Sequence, residues 1–199
     1  GHSGLCMGMR LKQAGLHDFV ILEKAATLGG TWRDNTYPGA SCDAPSFLYS
    51  FSFAQKTDWS RRFAWQSELL GYSTELAVKH GLLPHCRFNA EVTRIAYDET
   101  ANTWTLACAD GTEIVADFVI AGVGQLNRPS TPAIAGQPTF TGTQFHSAQW
   151  NHAVDFAGMH GVHDLDHRQA RLRIERRIPQ RLDVRAPHRL VDAVVIGQH

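Results

Sequence analysis

The sequence predicts an α/β fold, a parallel sheet flanked by helices with an antiparallel β-meander inserted into it. Three observations predict it. A helix-spaced segment after Gly4 leads into the apolar run Phe19-Val-Ile-Leu22. Residues 88–120 alternate β-rich runs with turn signals. A further continuously apolar run, Phe118-Val-Ile-Ala121, suits a buried strand returning to the main sheet, with Gly122 and Gly124 at its end. The 199 residues are 43% hydrophobic and 19% charged, which is globular composition and enough length for one sizeable core. Nineteen basic side chains balance nineteen acidic ones, so no net field recommends nucleic acid or an anionic membrane as a partner. Cys6, Cys42, Cys86 and Cys108 are scattered without a CxxC pair, which argues against a zinc ribbon or a secreted disulfide framework and fits a reducing cytoplasm. No apolar run approaches the roughly 20 residues of a spanning helix, and no signal-peptide pattern opens the chain.

The first element is a helix, with Leu5 and Met9, then Met7, Leu11 and Ala14, at spacings of three and four before Gly15 stops it. The strand at Phe19 ends on Glu23, placed after Gly4 at the spacing that separates the last glycine of GxGxxG from a ribose-binding acid. Gly1 and Gly4 would let the backbone approach a pyrophosphate at a helix N-terminus, whose free amides and dipole favour negative charge. Such a fingerprint begins with a buried strand and an earlier glycine, whereas this chain starts at what reads as the second glycine. The expectation is therefore an incomplete Rossmann-like dinucleotide-binding sheet whose central first strand is missing. A plainer alternative makes Gly1 to Gly4 a glycine-rich helix cap and Glu23 a solvated strand end. Val194-Val-Ile-Gly197 resembles a strand entering a glycine turn, but without a following helix nothing is expected to bind there.

Residues 29–53, rich in Gly, Pro, Asp and aromatics without a period, read as a long functional loop. Leu69, Leu70, Tyr72, Leu76 and Ala77 predict an amphipathic helix between Ser67, as N-cap, and Gly81. Turn signals at Glu99 to Asn102 and at Asp110-Gly111 divide the meander. After Gly158 the chain changes character: residues 159–199 carry many arginines and histidines and no lysine. A nucleic-acid patch is disfavoured because no aromatic interleaves with the arginines. A helix over about 166–178 with a solvated arginine face is one reading, and a frameshifted translation is the one preferred. The division is then a partial dinucleotide-binding domain at 1–158, which the resemblance described next makes FAD-binding, and a divergent tail at 159–199.

Three blocks carry a family resemblance: Gly29-Gly-Thr-Trp32; Asn35-Thr-Tyr-Pro-Gly-Ala-Ser-Cys-Asp43 continuing to Tyr49; and Phe140, Gly142, His146 and Trp150 in the spacing FxGxxxHxxxW. With them, residues 1–158 resemble the N-terminal part of Baeyer–Villiger monooxygenases, a class B flavoprotein group. Trp150 favours this branch over N- or S-oxidising flavin monooxygenases, which carry Tyr or Phe there; Asn151 departs from the usual Pro or Asp. The resemblance implies FAD and NADPH as cofactors, and oxygen with a small ketone as substrates, a peroxyflavin converting the ketone to an ester or lactone. It implies that Gly1 and Gly4 approach the FAD pyrophosphate, Glu23 holds the ribose, and Gly30, Thr31 and Trp32 line the ribityl and flavin side. Asp43 matches an aspartate near the flavin that partners a catalytic arginine, and Tyr49 a residue beside the isoalloxazine. Val92 matches a backbone contact to adenine, Gly124 and Gln125 close over the cofactor, and His146 belongs to a mobile linker rather than acting as a base. Plainer roles are a core plug for Trp32, a cap for Asp43 and a satisfied polar residue for His146. No second GxGxxG follows, nor the catalytic arginine, so the chain is expected to be a fragment inactive alone. A non-catalytic remnant of the fold is the rival from another class.

Overall fold

A computed structural model describes residues 1–125, 128–131, 133, 135–155, 157 and 193–197. The chain opens with helix α1 (His2–Gln13), followed by strand β1 (Phe19–Glu23). Gly15, at φ 79°, makes the left-handed turn that ends α1. Two four-residue helices, α2 (Thr31–Asp34) and α3 (Ser46–Tyr49), interrupt the segment expected to be a loop. Helix α4 (Gln66–Lys79) leads to the two-residue strand β2 (Cys86–Arg87), too short to leave a periodic signal. The antiparallel meander is β3 (Val92–Asp98), β4 (Thr103–Cys108) and β5 (Glu113–Ala116), with Asn102 and Gly111 at positive φ in its turns. Strand β6 (Phe118–Ala121) then enters the main sheet, and β7 (Ala193–Gly197) is the last described element.

The main sheet is parallel, in the order β2-β1-β7-β6. The position between β1 and β6, expected to stand empty, is held by β7. It pairs with β1 from Phe19↔Ala193 to Glu23↔Gly197 and with β6 from Phe118↔Ala193 to Ala121↔Ile196. Its apolar sequence explains the place: a strand buried on both faces must be apolar at every position. Val195 joins the cluster of Leu5, Met9, Ile21, Tyr72 and Leu76 under α1 and α4, while Val194 and Ile196 join Leu22, Val92 and Leu106 under the meander. Each such aliphatic side chain contributes about 1.5–3 kcal/mol through burial.

Helix α1 approaches the sheet closely at Gly4 and Gly8, two glycines on its buried face. A Cβ on Gly8 would stand 2.9 Å from Ile21 Cδ1, so only glycine admits this approach without displacement. Two expectations are corrected. Ser67 does not cap α4: the helix starts at Gln66 with Trp65 as N-cap and no side-chain cap bond, and its first-turn Glu68 instead accepts from Ser60 N at 2.9 Å and Ser60 Oγ at 2.7 Å. Strand β6 is not deeply buried, because it lies at the end of the described sheet; Phe118 is 53% exposed. The four cysteines are free thiols, and no helix among the described residues is long and apolar enough to cross a membrane. The arginine-rich stretch and its expected helix lie outside the described residues.

Candidate functional site

Parallel strands deliver their loops to one end of a sheet, and a cavity lies there, at the carboxyl ends of β1, β7 and β6. It encloses about 600 Å³ between the start of α1, the α2–α3 segment and the chain after β6. Of the residues singled out by sequence, Thr31, Trp32, Asp43, Tyr49, Gly124, Gln125 and His146 line it. Gly30 sits behind the wall as N-cap of α2, at φ 58° and ψ −132°, a conformation open essentially to glycine alone.

The wall is braced from within. Trp32 Nε1 donates to Tyr49 Oη at 2.7 Å, and the rings meet edge-on at 5.5 Å and 77°. Burial pushes the Tyr49 phenol above its ordinary pKa, so it stays protonated. Gln66 Nε2 donates to the Trp32 carbonyl, tying α2 to the start of α4. Asp43 is exposed on the cavity wall, and the following helix α3 has Pro45 as N-cap without a side-chain cap bond, so the capping role is not the one Asp43 takes.

Glu23 ends β1 at 3% exposure. Its Oε1 accepts from Ala25 N at 3.1 Å and lies 3.3 Å from Arg33 Nη1, while Oε2, 3.7 Å from the Gly1 nitrogen, has no hydrogen-bond partner. The solvated-strand-end reading is therefore corrected. The Gly1 ammonium and Arg33 balance the carboxylate's charge, but Oε2 keeps its hydrogen-bonding capacity unused. Gly1 is the N-cap of α1, and Gly4 faces the sheet, where a Cβ would stand 3.7 Å from Val195 Cγ1.

Val92, Phe140, Gly142 and Trp150 stand apart from the cavity wall. Val92 is buried at the start of β3, in the core under the meander. Phe140 is exposed and folds its ring over Gly142, where a Cβ would fall 2.4 Å from Phe140 Cζ. Trp150 meets Phe145 edge-on at 5.1 Å. His146 caps the short 3-10 turn Ser147–Gln149, its Nδ1 accepting from Ala148 N at 3.0 Å, and also faces the cavity, so the structural and functional readings coexist. His152 Nε2 lies 2.9 Å from Thr36 Oγ1 and links the fingerprint segment to the loop before α3.

Sequence reasoning gave no role to His2, Ser3, Ser41 or Arg128, which also line the cavity. Ser41 lay within a block already singled out. Arg128 had no local signal, because it meets the other wall only through the fold. The His2 ring packs against Tyr49, Phe51 and Tyr72, and burial first, then neighbouring positive charge, lowers its pKa to about 4.

A family model for an NAD(P)-binding Rossmann-like domain matches residues 1–64. The chain is 47% identical over 158 residues to a Baeyer-Villiger monooxygenase of Streptomyces coelicolor, a match covering 79% of this chain and 30% of that protein. Among solved structures, oxidized steroid monooxygenase bound to NADP superposes with a TM-score of 0.70 at 38% identity, covering 79% of this chain and 31% of that one. The OTEMO complex with FAD and NADP gives 0.69 at 31% identity, over 76% and 29% of the two chains. The chain thus spans less than a third of the length of these relatives. It belongs to the Baeyer–Villiger monooxygenase family.

Proposed function

We propose that this chain forms the FAD site of a flavin-dependent Baeyer–Villiger monooxygenase that uses NADPH and oxygen on a small ketone. The observation that carries the reading is Glu23 Oε2: a buried carboxylate oxygen without a hydrogen-bond partner, beside the N-terminus of α1 at the carboxyl end of a parallel sheet. A ribose hydroxyl is the donor that fits it, and the amides that open α1 suit a pyrophosphate. The residues present therefore fit a flavin dinucleotide, and the likeness to a complex of FAD and NADP supports it.

Within this site Glu23 would fix the ribose, and Gly1 and Gly4 would admit the phosphates. Val92 would offer its backbone to the adenine. Thr31, Trp32 and Tyr49 would form one wall, with Gly124 and Gln125 closing over the other side. When bound, FAD supplies the redox and oxygen-transfer chemistry, with NADPH as the reductant. The chain's own task is to orient it, exclude water and set the local field. Asp43 places a negative charge at the wall, where it can hold a cationic side chain of the whole protein in register, and the protonated Tyr49 keeps its phenol a donor or acceptor rather than a second anion.

The visible absorbance of the purified chain, before and after incubation with FAD and desalting, tests this directly. A flavin band should survive desalting in the native chain and fade in Glu23→Ala; a colourless native chain would refute the reading. Since these residues span about 30% of the Streptomyces relative, no ketone turnover is expected from the chain alone. Ester formation with FAD, NADPH and a ketone panel would contradict that.

A further inference from the structure

Strand β7 lies far along the chain from α1, yet it stands where a dinucleotide fold puts the strand that precedes its phosphate-binding helix. It is parallel to β1, adjacent to it, and buried at Val194, Val195 and Ile196. Its register brings Gly197 opposite Glu23, at the same end of the sheet as the N-terminus of α1.

The packing around that point is that of a glycine turn. Gly122 N donates to Ile196 O at 2.8 Å, and a Cβ on Gly122 would stand 3.1 Å from Gly4 N, so the ends of β6 and β7 and the first turn of α1 converge where a side chain on Gly122 would crowd them. Gly197 itself is different. A Cβ there would meet Leu22 O at 3.5 Å, Glu23 Oε2 at 3.6 Å and Gly1 N at 3.7 Å, all ordinary contacts, and its φ lies outside the left-handed region. A methyl group at Gly197 is therefore tolerated by the protein, but it would occupy the gap between the buried carboxylate and the first nitrogen of α1. That gap lies beside a buried carboxylate oxygen that has no hydrogen-bond partner and is balanced only by the charge of the Gly1 ammonium, 3.7 Å away.

We infer that the phosphate-binding turn of this chain is assembled out of sequence order: β7 provides the central strand and Gly197 the first glycine, while Gly1, Gly4 and α1 provide the rest. The ligand class is a dinucleotide, with its pyrophosphate over the Gly197–Gly1 gap and a ribose at Glu23. The ligand half of this inference rests on the FAD reading proposed above; the strand half does not. It also alters the expectation that nothing binds beside Gly197, since the helix needed to follow that strand is α1, supplied from the other end of the sequence.

The test uses the full 199-residue chain in two measurements. Hydrogen exchange should show the amides of Val194 to Ile196 protected as strongly as those of β1; exchange at the rate of an unstructured peptide would overturn the assembly whether or not flavin binds. FAD titration of Gly197→Ala and Gly197→Val should show Kd raised progressively, by about tenfold or more for valine, with apo melting temperatures close to native. Native-like affinity in Gly197→Val would overturn the role of Gly197. If valine unfolds the chain, the alanine variant decides the same point with its single methyl. A native chain with a protected β7 that binds no FAD would sink the FAD reading, and the ligand role with it, while sustaining the out-of-order strand.

Discussion

Trp32 and Tyr49 are joined by a 2.7 Å hydrogen bond from indole to phenol and by an edge-on ring contact, although each comes from a helix of only four residues. Helices that short have no stability of their own. The pair is one of the ties that hold α2 and α3 as a single cavity wall, and Cys42, Ala64 and Leu69 form a small apolar cluster behind it.

Tyr49→Phe should keep the ring contact and lose the bond, leaving the half-buried indole N–H without its partner. The expected cost is about 1 kcal/mol in chemical denaturation, with a larger effect on flavin fluorescence than on affinity because the wall loosens rather than disappears. An unchanged denaturation midpoint would show that water replaces the phenol freely.

Gly29→Ala should be among the most damaging single changes in the wall. At φ 132° the position favours glycine, and a Cβ would meet Leu70 Cδ1 at 2.5 Å and Arg33 Cβ at 2.8 Å. Strain and displacement together predict a loss of about 2–3 kcal/mol. Gly39→Ala makes the control: it shares a positive φ but would meet nothing within 4 Å, so it should cost visibly less.

Glu23→Gln retains shape but removes the charge that faces Arg33 Nη1 at 3.3 Å. FAD affinity should fall by about tenfold, because an amide is a weaker acceptor and half of its head is a donor. Calorimetric titration separates this from misfolding, since the melting transition should remain cooperative. Equal affinity in both forms would remove Glu23 from the site.

His2 should make the chain acid-labile. Its folded pKa, about 4, lies below the ordinary 6.5, so the unfolded state takes up the proton more readily. By linkage, its stabilising contribution is complete above 6.5 and is lost as pH falls through the window toward 4. His2→Phe, which keeps an aromatic ring among Tyr49, Phe51 and Tyr72, should flatten the melting temperature over that range. An identical pH profile in the variant would assign the lability to other groups.

Much of this molecule was legible locally. The spacing of Leu5, Met9 and Leu11 marked α1, the apolar run at Phe19 marked β1, and the turns at Asn102 and Gly111 divided the meander, because each signal is written within a few residues of the structure it forms. The blocks from Gly29 to Trp32 and from Asn35 to Tyr49, with His146, likewise pointed to residues that now share one cavity. The family followed from those blocks alone.

Other features depended on neighbours that no local window contains. An apolar run does not say whether its strand lies at a sheet's end or centre: Phe118 is half exposed on β6, while Val195 is fully buried on β7. Parallel pairing joins segments of any separation, so only the folded chain places Gly197 opposite Glu23. Trp65 rather than Ser67 is the N-cap of α4, and Gln66 N donates to Ala40 O and Gln66 Nε2 to the Trp32 carbonyl, contacts from across the loop that hold the helix start. The sequence by itself determined the longer helices and strands and the family they resemble, but not the short elements α2, α3 and β2. The tertiary structure decided which strand is central and which carboxylate oxygen is buried without a hydrogen-bond partner, since burial and pairing are properties of segments brought together.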